Sequence, residues 1–148
     1  RAGPERGAAL DDFHRRHGDD PLVIDKWFAL QARSSRSDTL AEVIRLLDHP
    51  AFALNNPNRV RALIGAFVVG NPLHFHDRTG AGYRFLTDQV IALNTLNPQV
   101  AARLLPPLGR WRRFDAARQG QMKAELERIL AVPSVSRDVY EIASKSLG

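Results

Sequence analysis

Asn56-Pro57-Asn58-Arg59-Val60-Arg61-Ala62-Leu63-Ile64-Gly65-Ala66-Phe67-Val68-Val69-Gly70 is the stretch whose reading decides the fold. Val60, Leu63, Ile64, Phe67 and Val68 recur at i, i+3, i+4, i+7 and i+8, which is one apolar stripe of an amphipathic helix. Asn56 is placed to cap the orphan N–H groups of the first turn, and Pro57 falls at N1, where a missing N–H costs nothing. Gly70 stands where a left-handed residue would close the helix.

The same punctuation returns at Asn97-Pro98, 41 residues further on, followed by Val100, Ala101, Leu104 and Leu105 and stopped by Pro106-Pro107. A period of that size belongs to HEAT and armadillo arrays, in which each helix pair buries its apolar face against its neighbours. Working outward, helical periodicity marks residues 5–17, 21–32, 37–48, 82–96, 115–131 and 136–147. The run from Leu22 to Leu30 is apolar nearly all round and is expected at the centre of the stack. Asp115 and Ser136 are the expected caps of the last two helices, with stripes Met122, Leu126, Ile129, Leu130 and Val139, Ile142, Ala143, Leu147. No stretch alternates apolar and polar residues for long between turns. The expected fold is all-α, an α-α superhelix of HEAT/armadillo-like helix pairs. Residues 1–9 read as a linker or fragment end and residues 10–148 as one domain.

Composition agrees with a packed globule. A chain of 148 residues buries roughly two-thirds of its unfolded surface, and 44% apolar with 25% charged residues is ordinary for a folded domain. No segment approaches the roughly 20 apolar residues that cross a bilayer, and the first residues hold no apolar signal region. The absence of Met at position 1 leads us to expect a piece of a longer protein. Cysteine is missing, which excludes disulfides and cysteine-based metal or nucleophile chemistry and fits a cytoplasmic origin. The net charge of +5 is uneven: residues 101–148 carry 9 basic and 5 acidic groups, against 8 and 9 in residues 1–50. A basic end can face nucleic acid, an acidic ligand or an acidic neighbouring domain.

The search for catalytic chemistry returns little. His14 and His17 are spaced i, i+3 and lack the i, i+4 spacing and interposed Glu of a zinc peptidase helix, so a solvated helix end is the better reading. His74-Phe75-His76-Asp77 offers ligand types close together, yet needs a further ligand from elsewhere; a turn that packs Phe75 inward explains it equally well. Gly109-Arg110-Trp111-Arg112-Arg113-Phe114 interleaves cations with aromatics as single-strand binders do, but also as a basic helix end anchored by Trp111 and Phe114 does. There is no Gly-x-Ser-x-Gly and no phosphate loop. Three polar positions stand out. Gln99 and Arg103, at i and i+4, share a stripe beside the buried face of the second Asn-Pro helix, and Arg61 flanks the stripe of the first. They are either ordinary solvated positions or the lining of a concave binding face.

At these residues the chain resembles bacterial aminopeptidase N, the alanyl aminopeptidases of the gluzincin metallopeptidases. The likeness runs from about Leu10 onward. It includes Asp25-Lys26-Trp27-Phe28-Ala29-Leu30-Gln31-Ala32, Asn56-Pro57-Asn58-Arg59-Val60-Arg61, Leu63-Ile64-Gly65-Ala66-Phe67, Asn71-Pro72, Phe75-His76, Gly82-Tyr83 and Asn97-Pro98-Gln99-Val100-Ala101. That family holds zinc on a His-Glu-x-x-His helix with a downstream Glu and uses a Gly-x-Met-Glu-Asn exopeptidase motif, and neither occurs in this sequence. The resemblance therefore implies the C-terminal helical domain of a larger enzyme, closing over a catalytic chamber and admitting short peptides. It implies no catalytic residue and no cofactor in this chain, with zinc in the parent protein. By motif position Arg61, Gln99 and Arg103 resemble residues on the primed side of the substrate site. The partners so implied are the preceding domains and short peptides, not nucleic acid or a membrane, and the state a monomer. The other reading is a free-standing helical module that binds protein or RNA through its basic C-terminal half.

Overall fold

The computed structural model describes residues 20–148, and every described element is helical, with no strand among the described residues. The expected helix over 5–17, the His14/His17 pair and the linker over 1–9 lie outside the described residues. The chain divides into two compact units, one ending at Asn71 and the other running from Pro72 to Gly148.

In the first unit, helix α1 spans Pro21–Ala32. It starts where the Asp20 carboxylate accepts the N–H groups of Leu22 and Val23 at 3.1 and 3.4 Å, with Pro21 in the first turn. Its buried side is Ile24, Trp27, Phe28 and Ala32, while Leu22 and Leu30 are 74% and 67% exposed. The stretch is apolar nearly all round, yet α1 buries one inner stripe, and Leu22 and Leu30 face outward. Helix α2 spans Thr39–Leu46 and packs on α1. Between α2 and the next helix, Phe52 meets Phe28 edge-on with ring centroids 6.0 Å apart.

Helix α3 covers residues 57–70, beginning as Pro57–Val60. The Asn56 side chain accepts the Arg59 N–H at 3.2 Å, the cap the sequence predicts. Over Arg61–Gly65 the winding loosens into a π turn, in which the Ala66 N–H donates to the Arg61 carbonyl five residues back. The α-helix then resumes over Ala66–Gly70. The predicted stripe survives this: Val60, Leu63, Ile64 and Phe67 are fully buried and Val68 nearly so. The π turn packs against α1, and an Asp25–Arg59 ion pair at 2.8 Å ties the two helices. Gly70 does not take the predicted left-handed conformation. The chain leaves the helix through Asn71, at φ −131° and ψ 68°, whose side-chain amide donates to the carbonyls of Ala32 and Ser34 at 2.8 and 2.9 Å. These bonds satisfy acceptors left open where α1 ends.

In the second unit, α4 is the short Pro72–Phe75, α5 Ala81–Leu96, α6 Pro98–Arg103, α7 Pro106–Gly109, α8 Ala116–Leu130 and α9 Arg137–Leu147. Helix α5 is the centre of this unit, packed by α6 and α8. It buries Tyr83, Phe85, Leu86, Val90 and Leu93 together with the polar Thr87, Gln89 and Asn94. The chain enters α5 through Gly80 at φ +80°, the left-handed conformation a Cβ disfavours. Two residues on, a Cβ at Gly82 would stand 2.2 Å from the Phe75 carbonyl oxygen, so only glycine lets α5 rest on the backbone of α4. Asn97, Asp115 and Ser136 cap α6, α8 and α9 as expected, accepting from Val100, Arg118 and Val139.

Candidate functional site

Each unit carries an open cleft. In the first, α1 and α3 enclose about 290 Å³ lined by Asp25, Lys26, Ala29, Arg33, Asn58, Arg61, Ala62 and Ala66. Arg61 opens the π turn, and its guanidinium donates to the Asn58 side-chain oxygen one turn earlier. Asp25 is already held by Arg59, itself donating to the Ala51 carbonyl as well. In the second unit, α6 and α9 enclose about 310 Å³ lined by Gln99, Ala102, Arg103, Asp138, Glu141 and Ile142. Val100 and Ala101 face the core, which leaves Gln99 and Arg103 side by side on the outer stripe of α6, as the i, i+4 spacing requires. The structure brings Gln99 and Arg103 together and gives Arg61 a cleft of its own.

Sequence reasoning missed four neighbours of these residues. Asp138 and Glu141 sit across the cleft from α6 and bring two carboxylates to it. Lys26 on α1 and Arg33, the residue that ends it, add two cations to the lining of the cleft that holds Arg61. The i, i+7 spacing of Lys26 and Arg33 was legible; the pairing of α1 with α3 that gives it meaning was not.

The remaining candidate motifs are occupied by packing. Phe75 is fully buried, and His76 Nδ1 lies 2.7 Å from the Tyr83 hydroxyl with its ring stacked 4.3 Å from Phe114. Arg118 donates to the His76 carbonyl at 2.8 Å. Burial, and then the Arg118 charge, push the His76 pKa below its ordinary value. Asp77 accepts the Thr79 N–H and hydroxyl, bonds that hold its carboxyl below the usual range. Among the described residues no three of His, Asp and Glu gather in a way that fits a metal ion. Trp111 is buried and donates its indole N–H to the Ser146 carbonyl at 2.9 Å. Arg112 and Lys123 lie over the indole at 4.2 and 4.9 Å, and Arg112 also donates to the Ser146 and Leu147 carbonyls. The ring a nucleobase would stack on is therefore engaged inside the fold.

The whole chain, residues 1–148, matches the family described as "Domain of unknown function (DUF3458_C) ARM repeats". It is 49% identical over 146 residues to aminopeptidase N of Caulobacter vibrioides, covering 99% of this chain and 17% of that protein. Aminopeptidase N of Haemophilus influenzae is 52% identical over 143 residues, covering 96% of this chain and 16% of that protein. Aminopeptidase N of Escherichia coli is 45% identical, with 97% and 17% covered. A solved structure of Legionella pneumophila aminopeptidase A in complex with aspartic acid superposes with a TM-score of 0.89 at 36% identity, covering 97% of this chain and 17% of that one. The chain thus spans about a sixth of the length of the proteins it matches.

Proposed function

The chain belongs to the family of C-terminal ARM-repeat domains of aminopeptidase N, and from that premise we propose that it caps the active-site chamber of a zinc aminopeptidase that removes N-terminal residues from short peptides. The observation that carries the proposal is the pair of open clefts, each holding one or two of the three positions that the family resemblance marks, Arg61 in one and Gln99 with Arg103 in the other. The domain supplies binding and shape rather than bond-breaking. Arg guanidinium forks and a Gln amide suit the carbonyls and carboxylate of a peptide's trailing end. Among the described residues no three of His, Asp and Glu gather to hold a metal ion, and the family resemblance assigns the zinc and the water it activates to the rest of the longer protein. Its setting is cytoplasmic, its partners the preceding domains of the same polypeptide and short peptide substrates, and its state monomeric.

Two measurements test this. Purified residues 1–148 should release no product from an alanine anilide and retain no stoichiometric zinc; metal-dependent turnover by this chain would sink the assignment. In the full-length protein, Arg103→Ala should change kcat/KM for tetrapeptides about tenfold more than for a single-residue anilide. Equal effects on both would remove Arg103 from the trailing side of the substrate.

A further inference from the structure

Arg61 differs from other arginines of the chain in the group that holds it. Among the described residues, three arginines reach a side chain three positions back, and each finds a carboxylate there. Arg45 pairs with Glu42 at 2.7 Å on α2, Arg118 with Asp115 at 2.8 Å at the start of α8, and Arg128 with Glu125 at 3.0 Å further along it. Arg61 reaches back by the same three positions and finds the Asn58 side-chain oxygen instead. The carboxylate that lines the same cleft, Asp25, is held by Arg59 at 2.8 Å, so no acid lining the cleft offsets the Arg61 charge.

The position makes the amide informative. Asn56 caps α3 and Pro57 is its first residue, so residue 58 lies in the first turn, where the helix dipole favours an acid. An Asp there would also pair with Arg61 across one turn. Helix stability favours Asp at 58 on both counts, and the chain has Asn. An amide oxygen accepts a hydrogen bond without carrying charge, and a guanidinium can give it one of five N–H donors and keep the others free. A long side chain held in place before its ligand arrives has less ordering cost left to meet on binding. Arg61 also opens the π turn, a winding defect that recurs at functional positions.

We propose that Asn58 is a positioning residue for substrate binding: it aims the Arg61 guanidinium and, being neutral, leaves the whole positive charge for the oxygens of the peptide. This rests on the chamber-lining role proposed for Arg61. Asn58 needs no contact with the peptide and acts through Arg61 alone. Its two effects are separable. Asn58→Ala removes the aim and keeps the charge, Asn58→Asp keeps the aim and offsets the charge, and Asn58→Gln keeps both.

The test is steady-state kinetics of the full-length protein with tetraalanine and with an alanine anilide. Relative to the anilide, KM for tetraalanine should rise about tenfold in Arg61→Gln, the value of a hydrogen bond to a charged group, about fivefold in Asn58→Asp and about threefold in Asn58→Ala. Asn58→Gln should return it to within about twofold of the unaltered protein. KM should move more than kcat, because the trailing oxygens of a peptide carry the same charge in the ground and transition states. An acid suits the first turn of a helix, so a raised KM in Asn58→Asp is not a loss of fold. The deciding comparison repeats the Asn58 changes in the Arg61→Gln background, where a residue that acts only through Arg61 has nothing left to act on. There they should have no further effect. An Asn58 effect that survives in that background would overturn the inference and leave Arg61 in its proposed place. So would an unchanged KM in Asn58→Asp or Asn58→Ala beside a raised one in Arg61→Gln. An unchanged KM for tetraalanine in Arg61→Gln would overturn both the inference and the role it rests on.

Discussion

Gly82 and Gly120 separate two things a helical glycine can do. At Gly82 an added Cβ would meet the Phe75 carbonyl oxygen at 2.2 Å, and backbone atoms cannot rotate aside as a side chain can. At Gly120, inside α8, the same atom would meet nothing within 4 Å. Gly82→Ala should therefore cost about 3 kcal/mol of unfolding free energy, and Gly120→Ala should add about 0.5–1 kcal/mol by raising helix propensity. Urea titrations of the two variants beside the parent chain check the pair; equal shifts would mean that α5 does not rest on the α4 backbone. The Gly82-Tyr83 dipeptide was visible as a family likeness, but the reason for its glycine is a contact between two helices that no local pattern encodes. Gly70 teaches the converse. Its place after an apolar stripe suggested a left-handed cap, and the structure spends it on room for Arg33 while Asn71 does the capping.

At the scale of elements, Asn-Pro punctuation and 3.6-residue periodicity carried most of the helix starts, because a cap and an apolar stripe are local properties of the chain. Loops held by side chains were not legible. Asn94, buried on α5, donates to the Ser134 carbonyl and accepts from the Ser136 N–H, both at 2.8 Å. One amide thus clamps the connection between α8 and α9. Asn94→Ala would strand a donor and an acceptor and should cost about 2–3 kcal/mol, with faster hydrogen exchange at the Ser136 amide. A loss under about 0.5 kcal/mol would mean that water replaces the clamp. The sign of each cleft was equally hidden: Arg61, Gln99 and Arg103 could be singled out along the chain, whereas Lys26, Arg33, Asp138 and Glu141 acquire meaning only once helices are paired.

For the molecule as a whole, the pH dependence of stability should reflect His76. Burial lowers its pKa in the folded state below the ordinary 6.5, so the unfolded chain takes up a proton first as pH falls. The groups around the ring are Tyr83, Phe114, Arg118 and, one residue on, Asp77. Stability should be full above about pH 6.5, decline as pH drops through that value, and level off below the folded pKa. A second decline should come below the ordinary carboxylate range near 3.8, as Asp77 and Asp115, both depressed when folded, become protonated. Denaturant midpoints from pH 8 to 5 should therefore fall for the parent chain and fall less for His76→Gln; identical profiles would remove His76 as the source. The π turn of α3 carries a different kind of consequence, one of heredity. A residue advances an α-helix by about 100°, and the looser winding over Arg61–Gly65 takes up one residue more than α winding would over the same rotation. A single-codon deletion within those five positions would tighten the turn into α-helix and leave the Asp25–Arg59 pair and the Phe67 stripe in register, whereas a deletion elsewhere between them would turn one against the other by about 100°. The π turn is thus a place where this helix can give up a residue without rotating the faces on either side of it.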